Sequence, residues 1–283
     1  MKTGITGATG QLGQLVVAQL LQRTEASQLV ALVRNTEKAA SLGIEARAFD
    51  YSQPDVYALQ GIDQLLLISG NEIGQRKTQH GNVIRAAQQA GVQLIVYTSL
   101  LHADTSRISL AEEHVATEQL LQASGIPHVI LRNGWYNENY ANAIAGALHA
   151  GAIAGSSGDG KISSAARIDF AEAAAVVLTS TGHEGKVYEL AGSSSYTLTE
   201  LAAIVAEQAG KPVQYNNLPV ADYAKLLSSF GLPEPLAATI AGWETGIAQN
   251  DLLDEQQQLA QLIGRPTTPI AETVREVLAG AAQ

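Results

Sequence analysis

The sequence predicts an α/β fold in which a doubly wound parallel sheet carries helices on both faces and a smaller lobe follows toward the C-terminus. Three observations lead there. Short apolar runs rich in strand formers alternate with segments of helical period, and the connections between them are brief. The first run opens directly into a glycine-rich turn and a helix, Lys2-Thr3-Gly4-Ile5-Thr6-Gly7-Ala8-Thr9-Gly10-Gln11-Leu12-Gly13. Beyond Asn133-Gly134 the texture changes to loops and helices punctuated by Pro212, Pro219, Pro233, Pro235 and Pro266.

Composition narrows the function classes. Hydrophobic residues make up 46% of the 283, but no apolar run reaches the ~20 residues that would span a bilayer. The N-terminus enters the first strand without a basic and then apolar leader, and the chain has no Cys. Disulfides, thiolate metal sites and a Cys nucleophile are excluded, and a cytoplasmic protein is expected. A net charge of -10 argues against a nucleic-acid partner, which needs a basic surface. The six His show no ligand spacing, so no metal is expected.

In the first turn, Gly7 permits the tight bend, Gly10 lets an anion approach the backbone, and Gly13 lets the helix lie against the sheet. The helix N-terminus offers unpaired N–H groups to a diphosphate, so Gly7, Ala8, Thr9, Gly10, Gln11 and Leu12 read as a nucleotide cradle in a Rossmann-type fold. A second strand, 28–33, ends at Arg34-Asn35. Where NAD-specific folds carry an acid for the ribose 2′-OH, this chain has Arg34, with Lys38 one helical turn on, and that predicts NADP.

A third strand, 45–51, ends near Asp50, which is expected either to meet the adenine edge or to cap a helix beginning near Pro54. A fourth strand, 64–69, leads into the polar loop Gly70 to Arg76, placed at the carboxyl end of the sheet and so beside the cofactor. A helix closing at Gly91 is followed by strand 93–98, with Thr98-Ser99 at its functional end, and a helix over 112–124 by strand 128–132. Trp135-Tyr136-Asn137-Glu138-Asn139-Tyr140 then concentrates rings and amides in a chain only 5% aromatic, as a site for an apolar ring would. The Gly- and Ser-rich stretch 151–161 reads as a surface loop. Arg167 stands at a helix start that Asp169 can cap, which leaves the guanidinium for the cofactor. Residues 1–134, completed by about 155–192, are expected to form the nucleotide-binding core, and 135–154 with 193–283 the smaller lobe.

With Thr6 to Gly13, Val33-Arg34-Asn35, Tyr97-Thr98-Ser99-Leu100-Leu101-His102-Ala103-Asp104, Leu131 to Tyr136 and Gly185 to Gly192, the chain resembles the NmrA-like atypical short-chain reductases, most of all their quinone-reducing bacterial members. The likeness runs over nearly the whole length. It implies NADPH-dependent reduction of a small quinone, with NADPH along Gly7 to Leu12, Arg34, Gly74-Gln75-Arg76, Asn137-Glu138-Asn139-Tyr140 and Arg167. On the same resemblance a homodimer is expected.

One departure from the wider short-chain dehydrogenases bears on mechanism. Their Tyr-x-x-x-Lys acid would fall at Leu110 and His114. Reduction of ordinary ketones is therefore not expected. A quinone needs less help, because hydride addition leaves a hydroquinone anion that water can protonate. Tyr136, Asn137 and Tyr140 are the candidates for holding the ring or donating to the developing oxyanion, with Thr98, Ser99, His102 and His114 behind them. A non-catalytic NADP-binding regulator of the same group and a reductase of triphenylmethane dyes are the alternatives.

Overall fold

The computed structural model describes residues 1–281 and contains ten α-helices and nine strands among them. Seven strands form one sheet in the order β3-β2-β1-β4-β5-β6-β8. They are β1 (Thr3–Thr6), β2 (Leu29–Val33), β3 (Glu45–Ala48), β4 (Gln64–Leu67), β5 (Leu94–Leu100), β6 (His128–Asn133) and β8 (Val187–Leu190). Neighbours from β3 to β6 are parallel, with Thr3 opposite Leu29 on one side and Gln64 on the other. Strand order reverses between β1 and β4, the switch point where ligands of open α/β sheets bind. The central strands β1, β2 and β4 are buried at every position, as strands covered on both faces must be.

Packing divides the chain into two compact units, 1–103 with 112–133 and 167–188, and 104–111 with 134–166 and 189–283. Segments 104–111, 155–166 and 189–192 thus go with the second unit, which is nearly as large as the first. In the first unit, α1 (Gln11–Leu21) and α5 (Arg167–Thr179) pack together on one face. Against the other, Val83, Ile84 and Ala87 of α2 (Arg76–Ala90) and Leu121 of α3 (Ala111–Ser124) join Leu32, Leu65, Leu67, Ile95 and Tyr97 in a continuous core.

The second unit holds α4 (Ala141–Ala150), α6 (Leu198–Ala209), α7 (Val220–Ser229), α8 (Glu234–Ile247), α9 (Gln258–Ile263) and α10 (Ile270–Ala281). Its β7 (Ala152–Gly155) pairs in parallel with β9 (Gln214–Asn217). The stretch 151–161 is therefore not wholly a loop. Ala-Ile-Ala-Gly and Gln-Tyr-Asn-Asn lack the β-branched alternation by which a strand announces itself, and only pairing makes them one. Asp50 caps no helix either. Its Oδ1 accepts from the N–H of Ser52 in a tight turn, while Asp55 caps the short 3₁₀ segment Val56–Leu59 through the N–H of Tyr57.

The closest backbone approach in the first unit is at Gly13. A Cβ there would lie 2.2 Å from the Gly7 carbonyl oxygen and 2.7 Å from the Ala8 Cα. Gly13→Ala must push α1 off the turn, an overpacking that costs about 1–3 kcal/mol. The expected result is a fall of several degrees in the apparent melting temperature, read by circular dichroism, together with weakened nucleotide binding.

Candidate functional site

The first unit presents a helix start prepared for an anion. Gly7 takes a left-handed conformation (φ 61) and its carbonyl accepts from the N–H of Gly10. Gly10 is the N-cap of α1 in extended conformation, without a side-chain cap, and the first turn carries no acid. The helix dipole and the first-turn amides therefore face outward from a loop in which Gly10 and Gln11 are exposed and Ala8 and Leu12 are buried. A diphosphate fits this donor set. At the end of β2, Arg34 is exposed, and its Nη1 lies 3.4 Å from Glu72 Oε1. A guanidinium so placed remains open to a 2′-phosphate.

The loop between β4 and α2 is fastened from beneath by buried polar groups. Thr6 Oγ1 accepts from the N–H of Ile68, Thr98 Oγ1 from Ser69 and His80 Nε2 from Gly70. The Tyr51 hydroxyl lies 2.6 Å from Thr6 Oγ1 and 2.8 Å from the Ile68 carbonyl. Arg76, expected beside the cofactor, turns inward and donates through Nε to the Gly70 carbonyl at 2.6 Å. Glu113 of α3 accepts from the N–H groups of Gly74 and Arg76, at 3.1 and 3.0 Å, and so caps α2 from outside. Gly74 and Gln75 stay exposed on the loop.

His114, at the position of the missing lysine, belongs to the same network. Its Nδ1 is 2.8 Å from the Tyr97 hydroxyl, and its Nε2 faces the Arg76 guanidinium at 3.5 Å. Since Arg76 can only donate, Nδ1 carries the proton toward Tyr97. The N–H of Gly70 likewise fixes the His80 proton on Nδ1, toward Thr117 Oγ1 at 2.9 Å. Burial first, and then the Arg76 charge, holds both imidazoles down to about 3. Both are neutral at pH 7 and neither is an acid there. Thr98 is taken up by Ser69. Ser99 donates to Glu118 at 2.6 Å, and Glu118 also receives Arg132 in a part-buried pair. His102 sits in the turn after β5 with φ 52.

In the second unit, Tyr136 precedes the 3₁₀ turn Asn137–Tyr140, and its backbone bridges Ala165. Asn137 is fully buried with both ends of its amide engaged. Oδ1 accepts from Ser164 Oγ at 2.6 Å, and Nδ2 donates to the Thr268 carbonyl at 3.1 Å. This amide braces the turn and is not presented to an acceptor. Glu138 is half-buried and Asn139 exposed. The Tyr140 ring meets Tyr196 edge-on, and its hydroxyl is a buried polar atom without a hydrogen-bond partner among the described residues. Burial pushes this phenol well above its usual range, so it keeps its proton. Trp135 packs edge-on against Trp243, whose Nε1 donates to Ser109. Arg167 begins α5 of the first unit.

Sheet order, glycine turn and open helix start define a dinucleotide-binding protein of the Rossmann class. Residues 7–181 match an NAD(P)H-binding family, and the chain belongs to it. It is 54% identical to quinone oxidoreductase 2 of Escherichia coli, over 95% of this chain and 96% of that one. The solved structure of that NADPH-dependent enzyme, complexed with NADPH, superposes with a TM-score of 0.95 at 52% identity, covering 98% and 99% of the two chains. Triphenylmethane reductase from Citrobacter sp. superposes with a TM-score of 0.94 at 38% identity, covering 99% and 100%.

The neutral imidazoles set a pH dependence. Unfolded histidines titrate near 6.5, so between pH 6.5 and about 3 the unfolded chain binds protons that folded His80 and His114 refuse. Their contribution to stability is complete above pH 6.5 and is lost as pH falls. The apparent melting temperature is expected to drop from pH 7 to pH 4, and His114→Gln to flatten part of that slope.

Proposed function

We propose that the chain is an NADPH-dependent quinone oxidoreductase that passes hydride directly to a small quinone, without flavin and without a Tyr-x-x-x-Lys acid. The observation that carries this reading is an open α1 start beside an exposed Arg34 in a chain 54% identical to quinone oxidoreductase 2. NADPH supplies the hydride when bound. Gly7 to Leu12 receive the diphosphate, Arg34 the 2′-phosphate, and Gly74 and Gln75 border the cofactor on a loop that Arg76 holds in shape. Arg167 and the segment Asn137 to Tyr140 complete the binding set.

The chain's own share of the chemistry is placement and exclusion of water. Tyr136 and Tyr140 hold the acceptor ring. The Tyr140 hydroxyl, protonated at neutral pH, serves as a hydrogen-bond donor to developing oxyanion character rather than as a proton source. Asn137 positions that segment through Ser164 and Thr268. His114 is locked neutral, so water protonates the hydroquinone anion. The same reading takes the protein as cytoplasmic and, by resemblance, as a homodimer.

The deciding assay follows nicotinamide absorbance with simple benzoquinones and naphthoquinones, no flavin added. Multiple turnover with NADPH is expected. Stoichiometric binding without consumption would overturn the enzyme reading in favour of a regulator. Arg34→Asp should raise the KM for NADPH at least tenfold while leaving that for NADH within about twofold, in line with loss of a charge-assisted phosphate contact. Equal NADPH kinetics would remove Arg34 from the site.

A further inference from the structure

Glu72 stands in the loop after β4 with its carboxylate shared between two partners. Oε1 lies 3.4 Å from Arg34 Nη1, and Oε2 accepts from Gln79 Nε2 at 2.8 Å. Gln79 is buried on α2, and its Nε2 also lies 3.3 Å from Ser52 Oγ, so the carboxylate is steered from a fixed base. The Arg34–Glu72 pair itself is open to solvent, with 67% and 49% of the two side chains exposed. Such a pair adds little to stability. Its consequence lies in what it does to the guanidinium.

In NAD-specific folds the acid beside the ribose stands at the end of the second strand. Here that position is Arg34, and an acid arrives next to it from the loop after β4 instead. We propose that Glu72 is a specificity-setting residue: its carboxylate competes with the cofactor's 2′-phosphate for Arg34 and thereby narrows the preference for NADPH over NADH. The inference rests on the assignment of Arg34 to the 2′-phosphate. A phosphate dianion reaching Arg34 must displace or share with a carboxylate already there, whereas a ribose with a free 2′-OH meets no such competition. Gln79 keeps the competitor near even when Arg34 swings away.

The test uses two probes that lack nicotinamide, 2′,5′-ADP and 5′-AMP, titrated by calorimetry into the full chain. Glu72→Gln is expected to tighten 2′,5′-ADP by about two- to fivefold, as freeing Arg34 from an exposed competing carboxylate should, and to leave 5′-AMP within twofold. Glu72→Asp keeps the charge and should stay nearer the parent. In an Arg34→Ala background the gain from Glu72→Gln should vanish. Unchanged or weaker 2′,5′-ADP binding by Glu72→Gln overturns the proposal. A full gain persisting without Arg34 does so as well, since repulsion through space would then be the cause. If Arg34→Ala alone leaves 2′,5′-ADP affinity intact, the underlying phosphate assignment has failed instead. Both residues are exposed, so folding does not confound the comparison.

Discussion

The first unit depends on how closely α1 approaches the turn that precedes it. With Gly7 and Ala8 against the Cα of Gly13, any side chain at 13 would meet backbone atoms with nowhere to go. That contact fixes the start of α1 directly beyond β1, beside the reversal of strand order between β1 and β4. The helix begins with no side chain folded over its amides. An acid in the first turn or a Ser at the cap would satisfy those donors internally and stabilise the helix. Their absence leaves the donors for a ligand.

A second constraint replaces chemistry by structure. In the wider dehydrogenase pattern the helix after the fifth strand presents a tyrosine and a lysine to substrate. Here α3 spends the equivalent turn on its own neighbours: Glu113 caps α2, His114 bridges Tyr97 and Arg76, and Thr117 receives His80. Each group has a partner, His80, His114 and Thr117 are buried, and burial keeps both imidazoles uncharged. The result is a loop from Ile68 to Arg76 fastened at Ile68, Ser69, Gly70, Gly74 and Arg76. His114, neutral at pH 7 and engaged at both ring nitrogens, is not an acid for substrate. Acceptors whose reduced form is stable without concerted protonation are what such a helix permits.

The periodic parts were legible in the sequence. Strands β1, β2 and β4 to β6 show as apolar runs because they are covered on both faces, and Gly91 ends its helix in left-handed conformation. Two kinds of feature were not. Strands β7 and β9 have no strand-like composition, and pairing alone defines them. The polar network under the loop joins Thr6, Tyr51, Thr98, His80, His114 and Arg76, drawn from segments more than a hundred residues apart at the extremes. Sequence spacing marks His114 as a substituted position but carries no sign of its partners. Asn137 was read as a group offered to an acceptor because amides beside tyrosines suggest binding. Its burial against Ser164 and Thr268 depends on chain segments that only folding brings there.

An acidic chain that binds a nucleotide of several negative charges cannot rely on its overall field, which opposes the approach. Attraction must come from groups acting at contact distance, and the proposed set offers the first-turn amides of α1 and the guanidinium of Arg34. Backbone dipoles are fixed in place and cannot be titrated or substituted away, so they provide affinity common to both nicotinamide cofactors. In the proposed assignment the guanidinium acts on the one phosphate that distinguishes them. On that assignment affinity and specificity are carried by different atoms. A neighbouring carboxylate such as that of Glu72 can therefore adjust the second without disturbing the first, because it touches Arg34 and lies on no part of the glycine turn.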